Sequence, residues 1–149
     1  MNTISILNKA DLPAAFKIGQ AAHAFPWSWQ NFESNQGERY LNLKIERDGQ
    51  IVGFLITQVV LDEANLFNIA IDPAFQKQGL ATELLNHLIE ELAARNVVTL
   101  WLEVRASNTA AINLYNQLGF NEITIRTNYY PAKNNQREDA IIMAYTLSF

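Results

Sequence analysis

Residues 66–92 decide the fold, and they read LFNIAIDPAFQKQGLATELLNHLIEEL. Leu66 to Asp72 is an apolar strand candidate that ends before Pro73, because proline restricts the preceding residue and cannot continue a strand ladder. From Gly79 to about Arg95, apolar residues recur at helical spacing: Leu80, Leu84, Leu85, Leu88, Ile89 and Leu92. This spacing predicts an amphipathic helix packed on a sheet.

The flanking segments predict the remaining elements. Helices are predicted from the N-cap Asp11 to Ala24, before Phe25-Pro26-Trp27, and from the N-cap Asn108 to Gly119. The predicted strands are Thr3 to Leu7, Tyr40 to Arg47, Gln50 to Val60, Val98 to Arg105, Phe120 to Thr127 and Ala140 to Leu147. Since a helical crossover normally joins parallel strands, the strands around the leucine-rich helix should be parallel. The fold class is therefore α/β or α+β, with a mixed sheet.

Length and composition exclude several classes of protein. The chain has 149 residues, which favours one domain over residues 1–149. With 11 basic and 15 acidic residues, its net charge of −4 argues against binding to nucleic acid or an anionic membrane. Without cysteine there is no disulfide, thiolate metal site or cysteine nucleophile. No leader or long apolar segment is visible, so a cytoplasmic protein is expected.

A possible phosphate site occupies the turn before the leucine-rich helix, from Gln76 to Thr82. Unpaired N–H groups at a helix N-terminus suit anionic oxygens, Gly79 permits close backbone approach, and Lys77 adds a cation. The alternative is that Gly79 only starts a helix. No GxxxxGK[ST] or GxGxxG run is present, which disfavours a nucleotide triphosphatase or a dinucleotide oxidoreductase.

Two side chains are candidates for proton transfer. Strand alternation places Val98, Leu100, Leu102 and Val104 on one face, and Thr99, Trp101 and Glu103 on the other. A partly desolvated Glu103 beside an indole could accept a proton, whereas an ordinary solvent-facing glutamate is the alternative. Tyr115 lies two helical turns past Asn108 and could donate a proton, unless it only fills a gap between helix and sheet. His23 and His87 form no ligand pair, so no metal is expected.

The loop Gln76-Lys77-Gln78-Gly79-Leu80-Ala81 resembles the Q/R-x-x-G-x-G/A loop of the GCN-five-related N-acetyltransferase (GNAT) superfamily. Asn108, Tyr115 and Leu118-Gly119-Phe120 resemble its late motif. The resemblance implies a mostly antiparallel sheet with one parallel pair splayed for the coenzyme, helices on both faces, and acetyl-coenzyme A (acetyl-CoA) as co-substrate. The positions it implies for coenzyme binding are Ile69, Ala70, Ile71, Lys77, Gln78, Gly79, Leu80, Ala81, Thr82 and Asn108.

Three further segments are similar to the N-terminal acetyltransferase branch: Trp101 to Asn108, Asn128 to Pro131, and Glu138 to Ala140. The segments Met1 to Leu7, Ala22 to Trp27 and Gln36 to Tyr40 extend the match over most of the chain and are similar to the bacterial ribosomal-protein members of this branch. That resemblance implies direct acetyl transfer in a ternary complex to a ribosomal protein N-terminal peptide, the N-terminal alanine of small-subunit ribosomal protein number eighteen. Glu103 would be the general base and Tyr115 the general acid. A modest base suffices, because a peptide α-amine has a pKa of about 7.7 to 8.0 against roughly 10.4 for lysine.

Two other functions remain open from the sequence: acetylation of a lysine or small amine on the same fold, and a non-catalytic coenzyme-binding or ribosome-assembly module. Tyr129 and Tyr130 either shape the peptide entrance or form a strand-edge pair. Asp62 and Glu63 either face a basic peptide or end a strand in solvent.

Overall fold

A central sheet of seven strands organises the computed structural model, which describes residues 1–147. The strands are β1 (Asn2–Ile6), β2 (Leu43–Arg47), β3 (Gln50–Val60), β4 (Glu63–Ile71), β5 (Thr99–Arg105), β6 (Asn121–Pro131) and β7 (Arg137–Thr146). They are ordered β1-β2-β3-β4-β5-β7-β6 across the sheet. Only β4 and β5 are parallel among these neighbours, so the predicted mixed, mostly antiparallel sheet is confirmed.

Helices cover both faces of the sheet, as predicted. They are α1 (Leu12–Ala22), α2 (Trp29–Ser34), α3 (Leu80–Ala94) and α4 (Thr109–Leu118). The predicted leucines of α3 are fully buried in one core cluster, which Tyr115 of α4 joins. Helices α1 and α2 pack on the opposite face, where Ile18 and Phe32 meet Phe54 of β3. The apolar spacing of the sequence therefore identified the buried side of α3 correctly.

Several predicted boundaries differ from the structure. Helix α1 ends at Ala22 rather than Ala24, and Asp11 does not cap it through its side chain. The Asp11 carboxylate instead accepts hydrogen bonds from Lys44 Nζ and the Asn8 N–H. Strand β2 begins at Leu43, since Tyr40 forms only an isolated bridge to Gln58.

The last two strands are longer than predicted, and β6 continues to Pro131 through irregular pairing after Arg126. The short helix α2 was not predicted. Its N-cap is Ser28, whose hydroxyl accepts a hydrogen bond from the Asn31 N–H. None of the helices within residues 1–147 combines the length and the apolar character needed to cross a membrane.

The parallel pair β4 and β5 separates part of the way along its length. Their pairing runs from Glu63 opposite Thr99 to Leu66 opposite Leu102 and stops there. Strand β4 nevertheless continues to Ile71 and β5 to Arg105. The sheet therefore opens between its two central strands, at their carboxyl ends, where open sheets with crossover helices tend to bind ligands.

Candidate active site

A cleft of about 650 Å³ lies between β4 and β5, where the two strands separate. Its walls include the ends of both strands, the first turn of α3, one side of α4, and the segment between α1 and α2. All but one of the predicted site residues line this cleft: Ile69, Ala70, Ile71, Lys77, Gly79, Leu80, Ala81, Thr82, Glu103, Asn108 and Tyr115. The fold thus brings together residues that lie up to 46 positions apart in the sequence.

The turn before α3 has the backbone geometry of an anion site. Gly79 adopts a left-handed conformation, with φ 80°, and a Cβ there would meet no atom within 4 Å. The Glu83 N–H donates to the Gly79 carbonyl at 3.1 Å, so the N–H groups of the preceding turn lie outside the helical ladder. Gln76 Nε2 donates to the Ile71 carbonyl at 3.1 Å and ties the turn to the end of β4. Phosphate oxygens fit this arrangement of donors.

Gln78 is the predicted coenzyme residue that does not line the cleft. Its side-chain oxygen accepts a hydrogen bond from the Arg47 guanidinium of β2. The side chain is therefore engaged with the sheet, and only its main chain remains suitable for a phosphate contact.

Glu103 is the first residue of β5 beyond its last pair with β4. Its neighbours Leu102 and Val104 are buried, while Glu103 faces the other side of the strand, as alternation predicted. The side chain is 36% exposed, and Arg126 Nε lies 3.8 Å from Oε2. An ion pair this long and exposed is worth at most about 1 kcal/mol, so an incoming ammonium group can compete for the carboxylate.

Tyr115 reaches the cleft from the buried side of α4. The Asn108 side chain caps this helix by accepting from the Ala111 N–H at 3.2 Å, and Gly119 ends it in a left-handed conformation. Tyr115 is only 6% exposed and packs on Phe120, with ring centroids 5.5 Å apart. Burial, with a smaller contribution from Tyr130, raises the pKa of Tyr115 to about 12. Its phenol therefore keeps its proton at neutral pH.

Arg105 organises the rim of the cleft, a role that the sequence did not reveal. Its guanidinium carbon lies 4.2 Å from the Phe25 ring centroid and 4.5 Å from that of Tyr130. Nη1 also donates to the Pro131 carbonyl at 2.8 Å and to Glu138 Oε1 at 2.9 Å. Hydrogen bonds from Ser107 and then Arg105 hold the pKa of Glu138 below its usual range. One guanidinium thus joins the α1–α2 segment to β6 and β7.

The two tyrosines of β6 differ in their surroundings. Tyr130 lines the cleft. The Tyr129 ring packs edge-on against the Tyr130 ring, with centroids 5.0 Å apart, and the Arg126 guanidinium lies over the Tyr129 ring. Burial, followed by the nearby Glu103 charge, raises the pKa of Tyr130 to about 12. On the opposite wall, His23 Nε2 lies 2.8 Å from Asn68 Oδ1 and connects α1 to β4.

No group of three or more potential ligand side chains that could hold a metal is found within residues 1–147. The cleft brings together the Glu103 carboxylate, the Tyr115 phenol and the N–H donors at the start of α3.

Comparison with known proteins identifies the family. Residues 6–120 match the model of the Acetyltransferase (GNAT) family. The chain belongs to the GNAT family. The fold and the superfamily resemblance predicted from the sequence are thereby confirmed, and acetyl-CoA is the acetyl donor that GNAT enzymes use.

Individual GNAT relatives are similar over nearly the whole chain. A [Ribosomal protein bS18]-alanine N-acetyltransferase of Salmonella typhimurium is 67% identical over 148 residues, which is 99% of each protein. The crystal structure of the ribosomal-protein-S18-alanine N-acetyltransferase from Escherichia coli superposes with a TM-score of 0.96 at 65% identity, covering 100% of this chain and 96% of that one. Arabidopsis thaliana NAA60 in complex with acetyl-CoA shares the fold, with a TM-score of 0.86 at 19% identity and 98% of each chain covered.

Proposed function

We propose that this protein transfers the acetyl group of acetyl-CoA to the N-terminal α-amine of alanine in ribosomal protein S18. The observation that carries the proposal is the 67% identity, over 99% of both chains, to an alanine N-acetyltransferase acting on this ribosomal protein. The cleft supports it, because its lining combines a glycine-containing turn at a helix N-terminus with a carboxylate and a protonated phenol.

We assign coenzyme binding to the carboxyl end of β4 and to the N-terminal ends of α3 and α4. The turn from Gln76 to Thr82 would hold the pyrophosphate through N–H donors and Lys77. Main-chain groups from Ile69 to Ile71, which β5 leaves unpaired, would bind the pantetheine arm as an added strand. Asn108 would contact the coenzyme while capping α4.

The transfer needs no covalent enzyme intermediate. The α-amine attacks the thioester carbonyl carbon, the new C–N bond forms, and the C–S bond breaks with loss of the coenzyme A thiolate. Glu103 accepts the proton of the amine, and the Tyr115 hydroxyl donates a proton to the thiolate. Because a thiol has a pKa of about 8.5 and Tyr115 one of about 12, this donation requires concerted C–S cleavage or rapid reprotonation of Tyr115.

The test compares two synthetic peptides incubated with the protein and acetyl-CoA. One carries the N-terminal sequence of S18 with a free alanine amine, and the other has a blocked N-terminus and an internal lysine. Intact-mass measurement should show one added acetyl group on the first peptide only. Equal turnover of both would favour a lysine acetyltransferase, and acetyl-CoA binding without turnover would favour a non-catalytic module.

We also assign the domain organisation and the cellular location. Residues 1–149 are assigned to one acetyltransferase domain, which is supported by two core clusters that share a single sheet. A ribosomal protein substrate also supports a cytoplasmic location.

A further inference from the structure

A polar network outside the cleft connects the turn before α3 to the first two strands of the sheet. Arg47, the last residue of β2, pairs with Asn2 of β1. Its guanidinium donates through Nη1 to the side-chain oxygen of Gln78, and through Nε to Asn2 Oδ1 at 3.1 Å. Asn2 Nδ2 in turn donates to Glu83 Oε2 at 3.0 Å, in the first turn of α3. Two residues of β1 and β2 therefore hold both the turn and the start of the helix.

The segment just before the turn contacts the same guanidinium. Arg47 Cζ lies 5.8 Å from the centroid of the Phe75 ring, within the range of a cation–π contact. Phe75 lines the cleft, whereas Arg47 and Gln78 do not. The Arg47 guanidinium therefore contacts the chain on entry to the turn and within it, without reaching the space that the coenzyme would fill.

The backbone of the turn needs support of this kind. Lys77 has φ 63° and Gly79 has φ 80°, so Gln78 lies between two left-handed residues. For a residue with a Cβ, such as Lys77, this conformation is unfavourable on steric grounds. Residues 76–79 are all exposed, so burial does not hold them in place. Since an unfavourable backbone conformation persists only where other contacts fix it, the hydrogen bond from Arg47 to Gln78 supplies one of those contacts.

We propose that Arg47 is a positioning residue for acetyl-CoA. Through the Gln78 side chain, it holds the turn, before the coenzyme binds, in the conformation that presents its N–H groups to the pyrophosphate. This inference rests on the proposed function, which assigns the turn to the pyrophosphate, and it adds a residue from outside the cleft to coenzyme recognition. Because apparent affinity scales with the fraction of protein already in the binding conformation, the anchor acts on coenzyme affinity and not on the transfer step.

The test is a double-mutant cycle on the two side chains, with Arg47→Met, Gln78→Leu and the double variant. Arg47→Met removes the donor and its charge, whereas Gln78→Leu removes the acceptor and leaves the charge in place. Gln78 is exposed, so its replacement leaves the core intact. Arg95→Met is the control for loss of a cation, because Arg95 is exposed at the C-terminal end of α3 and does not line the cleft.

Each single variant should raise the Kd for acetyl-CoA, measured by calorimetry, by about three- to tenfold, the order expected for losing one exposed hydrogen bond that orders a binding turn. The double variant should show no further loss, because both substitutions break the same contact. KM for acetyl-CoA should rise in parallel, while kcat and KM for the alanine peptide should not change. Arg95→Met should behave as the native protein.

A second measurement uses the protein without coenzyme. NMR relaxation should give lower order parameters for the N–H groups of residues 77–79 in Arg47→Met and Gln78→Leu than in the native protein. Unchanged order parameters in both variants would show that the contact does not order the turn, and would overturn the proposal.

The binding data can overturn it in three further ways. Native affinity in Gln78→Leu beside weaker affinity in Arg47→Met would show that only the Arg47 charge acts. Additive losses in the double variant would show two independent effects. Native affinity in both single variants would remove the anchor and leave the proposed function standing. If instead the native protein acetylates no alanine peptide, the proposed function fails, and the calorimetric cycle still decides whether Arg47 positions the turn.

Discussion

At the scale of single residues, the two proton-transfer candidates have opposite environments. Glu103 is partly exposed beside a long ion pair, so it can meet an incoming ammonium group. Tyr115 is buried and holds its proton. A carboxylate that can accept a proton and a phenol that stays protonated until the thiolate leaves can therefore act within the same cleft at neutral pH.

Replacing Glu103 by glutamine should lower kcat/KM for the alanine peptide by about 10² to 10⁴, because general-base catalysis contributes roughly that factor. Acetyl-CoA affinity, measured by calorimetry, should be unchanged. Glu122→Gln is the control, since Glu122 is exposed on β6 and does not line the cleft. Equal activity of the native protein and Glu103→Gln would remove Glu103 from the mechanism.

The buried phenol of Tyr115 should affect stability at alkaline pH. Its pKa is about 12 in the folded chain, against about 10 for an unfolded tyrosine, so the folded protein holds the proton more tightly. The free energy of unfolding should therefore be maintained below pH 10 and fall as the pH rises from about 10 to 12. Tyr115→Phe lacks this ionisation, so its fall should be smaller by up to about 3 kcal/mol.

Urea unfolding of the native protein and of Tyr115→Phe, at several pH values between 9 and 12, measures this difference. Parallel curves for the two proteins would contradict the burial of the Tyr115 hydroxyl.

At the scale of elements, the turn into α3 and the ends of β4 and β5 build the cleft. The turn and the helix could be predicted from the sequence because their signals are local: a glycine, a cation and leucines at helical spacing. The contacts at the rim of the cleft could not be predicted, because Arg105 contacts Pro131 and Glu138, which lie 26 and 33 positions away. The direction of the Gln78 side chain likewise depends on Arg47, 31 positions earlier.

Gly79→Glu should abolish coenzyme binding, because its carboxylate would enter the anion site and repel the pyrophosphate. Gly49→Glu is a matched control: Gly49 has φ 82° against 80° for Gly79, and a Cβ at either position meets nothing within 4 Å. Calorimetry with acetyl-CoA should show at least a tenfold loss of affinity for Gly79→Glu alone. Equal loss in both variants would indicate backbone strain instead.

At the scale of the whole molecule, close packing between strands fixes the position of the cleft wall. Gly53 of β3 lies opposite Ile71 of β4. A Cβ at Gly53 would lie 3.0 Å from the Ala70 carbonyl oxygen and 2.5 Å from Ile71 Cδ1. Strand β4, which lines the cleft, therefore packs directly against Gly53 of β3.

Gly53→Ala should lower the free energy of unfolding by about 1 to 3 kcal/mol, the usual cost of overpacking a core. It should also weaken acetyl-CoA binding, because Ala70 and Ile71 must move. Gly19→Ala in α1 is the control, since its Cβ would make an ordinary 3.4 Å contact with Phe54. Urea titrations of the two variants check the stabilities, and a Gly53→Ala protein as stable as the native one would contradict the tight contact.

The early end of the β4–β5 pairing also has a consequence for amide hydrogen exchange. Within residues 1–147, the β4 and β5 sides of the sheet are joined by a hydrogen bond from the Val98 N–H to the Asp62 carbonyl and by four residue pairs, from Glu63 opposite Thr99 to Leu66 opposite Leu102. Beyond them, the facing N–H groups have no partner strand and are open to solvent exchange. A pantetheine arm seated there would complete the ladder and slow exchange of β4 amides between residues 67 and 71. The pantetheine arm would then act as a strand of the sheet that the polypeptide itself lacks.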